Sequence, residues 1–363
     1  MGMDVSLNAK LDAIGRGVFG EKYGEIKNWC ITRKEPNRWY AIPKGKVANV
    51  FVVIEPLSRL IIRHEQETTD LTTVPTPLGY GVPAILNTKF QSGAVRRQLI
   101  ALLHEWFNRN SNKYLDELRK AGYTRDNYTC TMRPYMKQTK ERQAPEGFEG
   151  YCTECPNCLI FGYAVQEGAG YNVKSRVEGD IYVAVVPEEK ASVTVTFNAV
   201  DDITKTTVMS GTETGALYEF RMVEVGVPFV GKLALKDMTF AELLLTLIAI
   251  ARTSRIGGRV THFGEIKVHI PAILFSSYEI GSGYEVATKI LGEYKGKIPT
   301  IEEVINKITE YVKRFKDQGI LVLDRGLGEK LRHMKREDVD AVILQAWKDV
   351  LALKKSLDLY VSK

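Results

Sequence analysis

Apolar positions along the chain change period several times, and each change marks an element. "VANVFVVIEP" (47–56) is a run of β-branched and aromatic residues with no helical spacing, which predicts a buried strand. Residues 63–90 hold Pro75, Pro77, Pro83 and several Thr and Gly, the composition of a long loop. From Ser92 to about Asn108 the apolar residues Leu99, Leu102, Leu103 and Trp106 fall on one helical face. Strands are predicted at "GDIYVAVVP" (179–187), "ASVTVTFNAV" (191–200) and "GALYEFRMVEVGVPFVGKLAL" (215–235), the last bent or turned at Gly226 and Pro228.

Thr239 and Glu242 form a capping box for a helix that runs to about Arg255 and stops at Gly257–Gly258. "EIKVHIPAILF" (265–275) is the next strand. Thr300 and Glu303 cap a further helix, with Ile301, Val304, Ile305, Ile308, Val312 and Phe315 at a 3.6-residue period. The last sixty residues read as helical. The order strand, helix, strands, helix, strand predicts an α+β fold: a ferredoxin-like or RRM-type core with large insertions and a helical C-terminal extension. The corresponding division is 1–108 (first part of the core with its long loop), 109–178 (a basic, cysteine-bearing insertion), 179–275 (the rest of the core) and 276–363 (C-terminal helices).

Composition changes this picture little. With 44% hydrophobic and 26% charged residues in 363, the chain is of ordinary globular type. Its longest apolar stretch, "FAELLLTLIAIA" (240–251), is too short for a bilayer span and contains Glu242, and "MGMDVSLNAK" has no apolar signal core, so a cytoplasmic protein without membrane contact is expected. Charge is more informative in its distribution: Leu86–Arg142 holds twelve Lys/Arg against five Asp/Glu, a surplus larger than the +6 of the whole chain. Such a block attracts phosphates.

Five cysteines in so long a chain do not make a disulfide framework. "YCTECPNCLIFG" (151–162) places Cys152, Cys155 and Cys158 at two-residue spacing, which lets a tight turn direct the sulfurs at one metal ion. Cys130 is the expected fourth ligand, with Cys30 and His262 as substitutes, and a structural zinc site is the leading reading. An iron–sulfur cluster is the rival, although Gly162 stands near where a ferredoxin-type run needs its next cysteine; free thiols are the third reading. No H-E-x-x-H or H-x-E pattern supports a catalytic zinc.

At several positions the sequence resembles the RAMP superfamily of CRISPR proteins, and within it the backbone subunits of the Cas-seven family, most of all that of type I-D complexes. "FQSGAVRRQL" (90–99) resembles the family's helix start, "CTECPNCLIFG" its cysteine cluster, "GTETGALYEFRMVEVGVPF" its strand after a thumb hairpin, and "RIGGRVTHFGEIKV" its glycine-rich loop. The family's lysine is Ser92 here, with Lys89 close by. The resemblance implies a non-catalytic subunit that binds crRNA, polymerises head to tail along it, and works beside other subunits on target DNA or RNA paired to the guide. It implies RNA contacts at Arg63, Lys89, Gly93, Arg96, Arg97, Arg133, Lys137, Met209, Arg252, Arg255, Gly257, Gly258 and Arg259. Gly93, Arg96 and Arg97 would act at a helix N-terminus, where free N–H groups favour phosphate. Met209 would sit near the tip of a thumb spanning about 198–214. The competing reading is an RNA-cleaving relative using His64 or Asp70; the loop after the first strand offers Glu65, Glu67 and Asp70 without a clear match to a catalytic aspartate. A zinc-stapled DNA-binding protein is a third.

Overall fold

The computed structural model describes residues 2–33, 36–63, 71–132, 150–165, 170–198, 217–324 and 326–362. In chain order its helices are α1 (Gly2–Phe19), α2 (Tyr23–Trp29), α3 (Arg96–Ala121), α4 (Pro156–Phe161), α5 (Glu188–Ala191), α6 (Phe240–Arg252), α7 (Gly283–Tyr294), α8 (Ile301–Lys316), α9 (Leu327–Arg332) and α10 (Arg336–Val361). The strands are β1 (Val47–Pro56), β2 (Thr73–Pro75), β3 (Gly81–Ile85), β4 (Val177–Gly179), β5 (Tyr182–Ala184), β6 (Ser192–Asn198), β7 (Leu217–Val223), β8 (Phe229–Lys236), β9 (Ile266–Ser276) and β10 (Leu321–Asp324).

β1 lies between β8 and β9 in an antiparallel sheet of order β10-β9-β1-β8-β5-β3-β2, with β4 also on β8. Val50 to Ile54 of β1 are wholly buried, because both faces of the strand are covered; this is why its sequence runs apolar without alternation. The path β1–α3–β5–β8–α6–β9 is the split β-α-β expected, so the α+β core with insertions stands. β6 and β7 pair only with each other among the strands, as a separate two-stranded ribbon.

Several elements differ from expectation. A wide π-type turn over Thr88–Val95 leads directly into α3, which continues past Asn108 to Ala121. The predicted strand at 179–187 is split, ladder-paired at Gly179 as the end of β4 and over Tyr182–Ala184 as β5, and the long loop carries β2 and β3, which extend the sheet. α1 was not anticipated. β10 interrupts the C-terminal helices and pairs with β9. α10 is no appendage: Trp347 is buried within 5.5 Å of Trp106 and 5.1 Å of Tyr128, ring centroid to centroid. Among the described residues no helix is long and apolar enough to cross a membrane.

Both capping boxes form as predicted, at Thr239/Glu242 and Thr300/Glu303. Glu242 does more. With no exposed surface it receives Arg33 Nη1 at 2.6 Å and both Nη atoms of Arg176 at 2.8 Å. Burial pushes its carboxyl up, but the charges of Arg176 and Arg33 outweigh that and hold it at about 2. Beside it Asp349 of α10 accepts from Thr239 Oγ1 and Gln345 Nε2, and burial followed by the charge of Glu242 pushes it up to about 6.

The two carboxylates give opposite pH dependence. The depressed Glu242 contributes stability that is full above an unfolded value near 4.5 and is lost as pH falls towards 2. The raised Asp349 favours the folded state below an unfolded value near 3.8, and that benefit disappears as pH rises through 6. Glu242→Gln should therefore lower stability by roughly 3–5 kcal/mol at neutral pH, since it leaves two guanidiniums uncompensated. Asp349→Asn should raise it by about 1–3 kcal/mol at pH 7.5 and flatten the profile between pH 4 and 6; urea unfolding across that range measures both.

Candidate nucleic-acid interface and metal centre

Three segments converge at one edge of the core. They are the exit of β1 (Ile61–Arg63), the wide turn and first turn of α3 (Lys89, Gly93, Arg97), and the glycine-rich loop after α6 (Ser254–Val260). They enclose a groove of about 560 Å³ whose charged lining residues are Arg63, Lys89, Arg97 and Arg255; no carboxylate lines it among the described residues. The loop is held by backbone: Gly258 donates to Ile61 O at 2.9 Å, and Ile256 to Gly264 O at 2.9 Å. Gly257 has φ +93°, and a Cβ there would lie 2.5 Å from Ile61 O, so only glycine lets the loop close against β1's exit. Arg255 Nη1 bonds to Val260 O and Phe263 O, so it braces the loop from inside the turn. Lys89 and Arg97 make no such bond among the described residues, and Arg97 is exposed.

Seven of the sequence-designated positions thus meet in one groove: Arg63, Lys89, Gly93, Arg97, Arg255, Gly257 and Gly258. Others go elsewhere. Arg96, one residue before Arg97, turns inward: it is buried, with Nε on Asn157 Oδ1 at 2.7 Å and Nη2 on Gly162 O at 2.6 Å, its guanidinium 4.6 Å from the Tyr151 ring centroid. Its guanidinium faces the cysteine module and not the groove. Arg252 donates to the carbonyls of Arg332 and Met334 and so anchors the turn before α10, outside the groove. Arg259 lies over Phe220 at 4.3 Å. The wide turn also changes the argument for Gly93: the helical run begins at Thr88, so Gly93 lies inside it rather than at a free N-terminus. Arg133, Lys137 and Met209 fall outside the described residues, as do His64 and Asp70.

The cysteine quartet forms as the spacing predicted. Cys130, Cys152, Cys155 and Cys158 are buried, with all sulfurs within 4.8 Å of one another. Cys130–Cys158 is 3.5 Å and Cys152–Cys158 is 3.9 Å. These separations are far from a disulfide's ~2.05 Å and near the ~3.8 Å edge of a tetrahedron with ~2.3 Å metal–sulfur bonds. The four can hold one metal ion. Cys30 lies elsewhere in the core and His262 is not among them. Donation from Cys152, Cys155 and Cys158 pushes the Cys130 thiol down, whereas burial pushes Cys152 and Cys158 up. Asn157 Nδ2 donates to Cys130 Sγ at 3.3 Å and Tyr128 Oη to Cys155 Sγ at 3.4 Å. The sequence reading missed both. Asn157 is wholly buried, so its amide needs partners, and Cys130 Sγ together with Arg96 provides them; that burial shows only in the fold.

The same fold is found in a solved structure. A crystal structure of Thermofilum pendens Csc2 superposes with a TM-score of 0.67 at 22% identity, over 96% of this chain and 97% of that one. A chain of a CRISPR RNA-guided surveillance complex before nicking aligns at a TM-score of 0.46 and 11% identity, covering 75% of this chain and 89% of the other. Another CRISPR RNA-guided surveillance complex gives 0.44 and 13%, with 75% and 87% covered. No curated protein sequence matches the chain. The sequence model of one family, Csc2 of the CRISPR proteins, matches residues 32–349, which include the groove and all four clustered cysteines, and the chain belongs to that family.

Proposed function

We propose that this protein is a non-catalytic crRNA-binding backbone subunit of a type I-D CRISPR surveillance complex in the cytoplasm. The observation that carries the reading is the groove: four cations, three glycines that bring backbone to its surface, and no carboxylate among the described lining residues. Such a wall suits the sugar–phosphate track of a single strand and gives no sequence readout. Arg97 and Lys89 supply the accessible charge, Arg63 and Arg255 the walls, and Gly93, Gly257 and Gly258 the close approach. Successive copies would sit head to tail on the guide, an open heterologous arrangement whose length the RNA sets. Target DNA or RNA would pair with the exposed guide bases, and other subunits of the complex would bind beside the array.

The cysteine quartet would hold a structural zinc ion. All four candidate ligands are buried cysteine sulfurs, a set that leaves no open position for substrate, so the ion's contribution would be to folding. Metal analysis of pure protein should find about one zinc per chain. Cys155→Ser should lose it and unfold several degrees earlier in thermal melts. Iron, or a well-folded sample with no metal, contradicts this.

The neighbouring arginines separate binding from scaffolding. Binding to single-stranded RNA, followed by fluorescence anisotropy against salt, should weaken about five- to tenfold in Arg97→Ala, with the log–log slope falling by ~0.7. Arg96→Ala should instead lower the melting temperature, by roughly 1–3 kcal/mol of lost buried hydrogen bonding, and leave that slope unchanged. The labelled RNA should stay intact with and without Mg²⁺; cleavage would overturn the non-catalytic assignment.

A further inference from the structure

The β6–β7 ribbon raises a question that the groove alone does not answer: what fixes its position? A lone two-stranded ribbon is marginal in water. Its inner face packs in a small cluster of its own, with Ile61, Phe220 and Met222 buried and Phe197 and Phe263 against them, apart from the main core. One backbone bridge, Leu60 to Val223, joins it to the chain leaving β1. Val223 at the end of β7 reaches the main core and Arg221 pairs with Glu188 of α5, and a further feature is at Phe220. Its ring receives two guanidiniums, Arg63 with Cζ 4.7 Å from the centroid and Arg259 with Cζ 4.3 Å, and Arg259 also reaches the Phe197 ring at 5.9 Å. Arg63 lines the groove, and Arg259 follows directly on the two glycines of its loop. Arg259 adopts φ +48°, an uncommon backbone for a non-glycine residue, in the conformation that seats it on the ring.

We propose that Phe220 is a positioning residue that couples occupancy of the RNA groove to the position of the β6–β7 ribbon; this rests on the RNA-binding reading above. The argument is physical. A planar guanidinium attracted to a ring face keeps its donor edge in the plane parallel to the ring, in the fork geometry that phosphate accepts. The ring therefore orients Arg63, which lines the groove and would otherwise lose rotamer freedom on binding, while Arg259 ties the glycine-rich loop to the same ring. Whatever affinity RNA gains from arginines already held on Phe220 must be returned, by linkage, as a firmer hold of those arginines on the ring and so on the ribbon. A leucine would fill similar space and keep the cluster apolar. It has no quadrupole, so it would break the coupling while leaving the packing.

The test uses the full chain with a single-stranded polyuridine RNA, amide hydrogen exchange over β6 and β7, and anisotropy for affinity. In the wild type, RNA should slow exchange in both strands. Phe220→Leu should melt like the wild type, bind about fivefold more weakly, the equivalent of a cation–π contact, and lose the RNA-induced protection of the ribbon. Phe220→Tyr should keep both. Arg259→Lys, which preserves charge but not the planar stack, should behave as Phe220→Leu does, and decides the matter if the leucine variant does not fold. Wild-type affinity and wild-type protection in these variants overturn the coupling, as does weakened binding with the protection intact. RNA binding that is absent from the wild type overturns the functional reading and the coupling with it, and is distinguished from the other failures by that protein alone.

Discussion

Glu242 occupies the first turn of α6 with none of its surface exposed, and it remains ionised there only because two guanidiniums from distant parts of the chain reach it. Arg33 comes from the segment after α2, and Arg176 from the segment that follows the cysteine cluster. Arg33 also donates to the carbonyls of Asp349 and Asp237, and Arg176 to those of Leu159 and Asp237. A buried carboxylate with one cation would still carry a desolvation penalty that a single pair rarely repays. With two, and with the Thr239 N–H filling a further lone pair, the carboxylate is satisfied. The consequence is topological: the N-terminal segment, the cysteine module, the core helix and α10 can meet only in the arrangement that brings those groups together.

A second joint of the same type connects the metal centre to the groove. α3 presents Arg97 to the groove and Arg96, about 100° around the helix, to Asn157 and the Gly162 carbonyl. Asn157 in turn donates to Cys130 Sγ, so the sulfur cluster and the helix wall of the groove share one chain of hydrogen bonds. Gly162 has φ +75°, and a Cβ on it would lie 2.4 Å from Val173 O, which explains why the cysteine motif runs directly into glycine. The cluster that looked like a loop staple thus fixes the rotation of α3 about its axis.

What could be read from the sequence was what local physics decides. β1 was legible to the residue because an apolar run buried on both faces leaves no periodicity to misread, and both capping boxes were legible because each is closed within four residues. The cysteine quartet was legible because metal-ligand spacing is a local constraint, with Cys130 the one member that had to be guessed. The misreadings have a common cause: they depend on partners far away in sequence. The helical reading of the C-terminal residues named no packing partner for α10, where Trp347 fills the centre of an aromatic cluster contributed by α3 and the segment after it. The start of α3 was misplaced since a wide turn carries helical spacing without ending the helix.

The basic block shows the same limit in another form. Of its arginines, Arg96 is consumed by a buried amide and a carbonyl, Arg109 by Glu105 and Asp340, and Arg119 by Asp116 and Asp126. A positive surplus counted along the chain therefore overstates the charge available to a ligand. Among the described residues of the block, Lys89 and Arg97 are the cations that line the groove, on one wall and faced by a loop whose glycines expose backbone. Counterion release depends only on charges that neutralise phosphate, so the salt dependence of binding should follow this short set and not the sequence surplus. Electrostatic steering draws on the whole field and scales with the surplus. On this structure association rate and bound-state affinity are therefore governed by different residues, although one stretch of sequence supplies both.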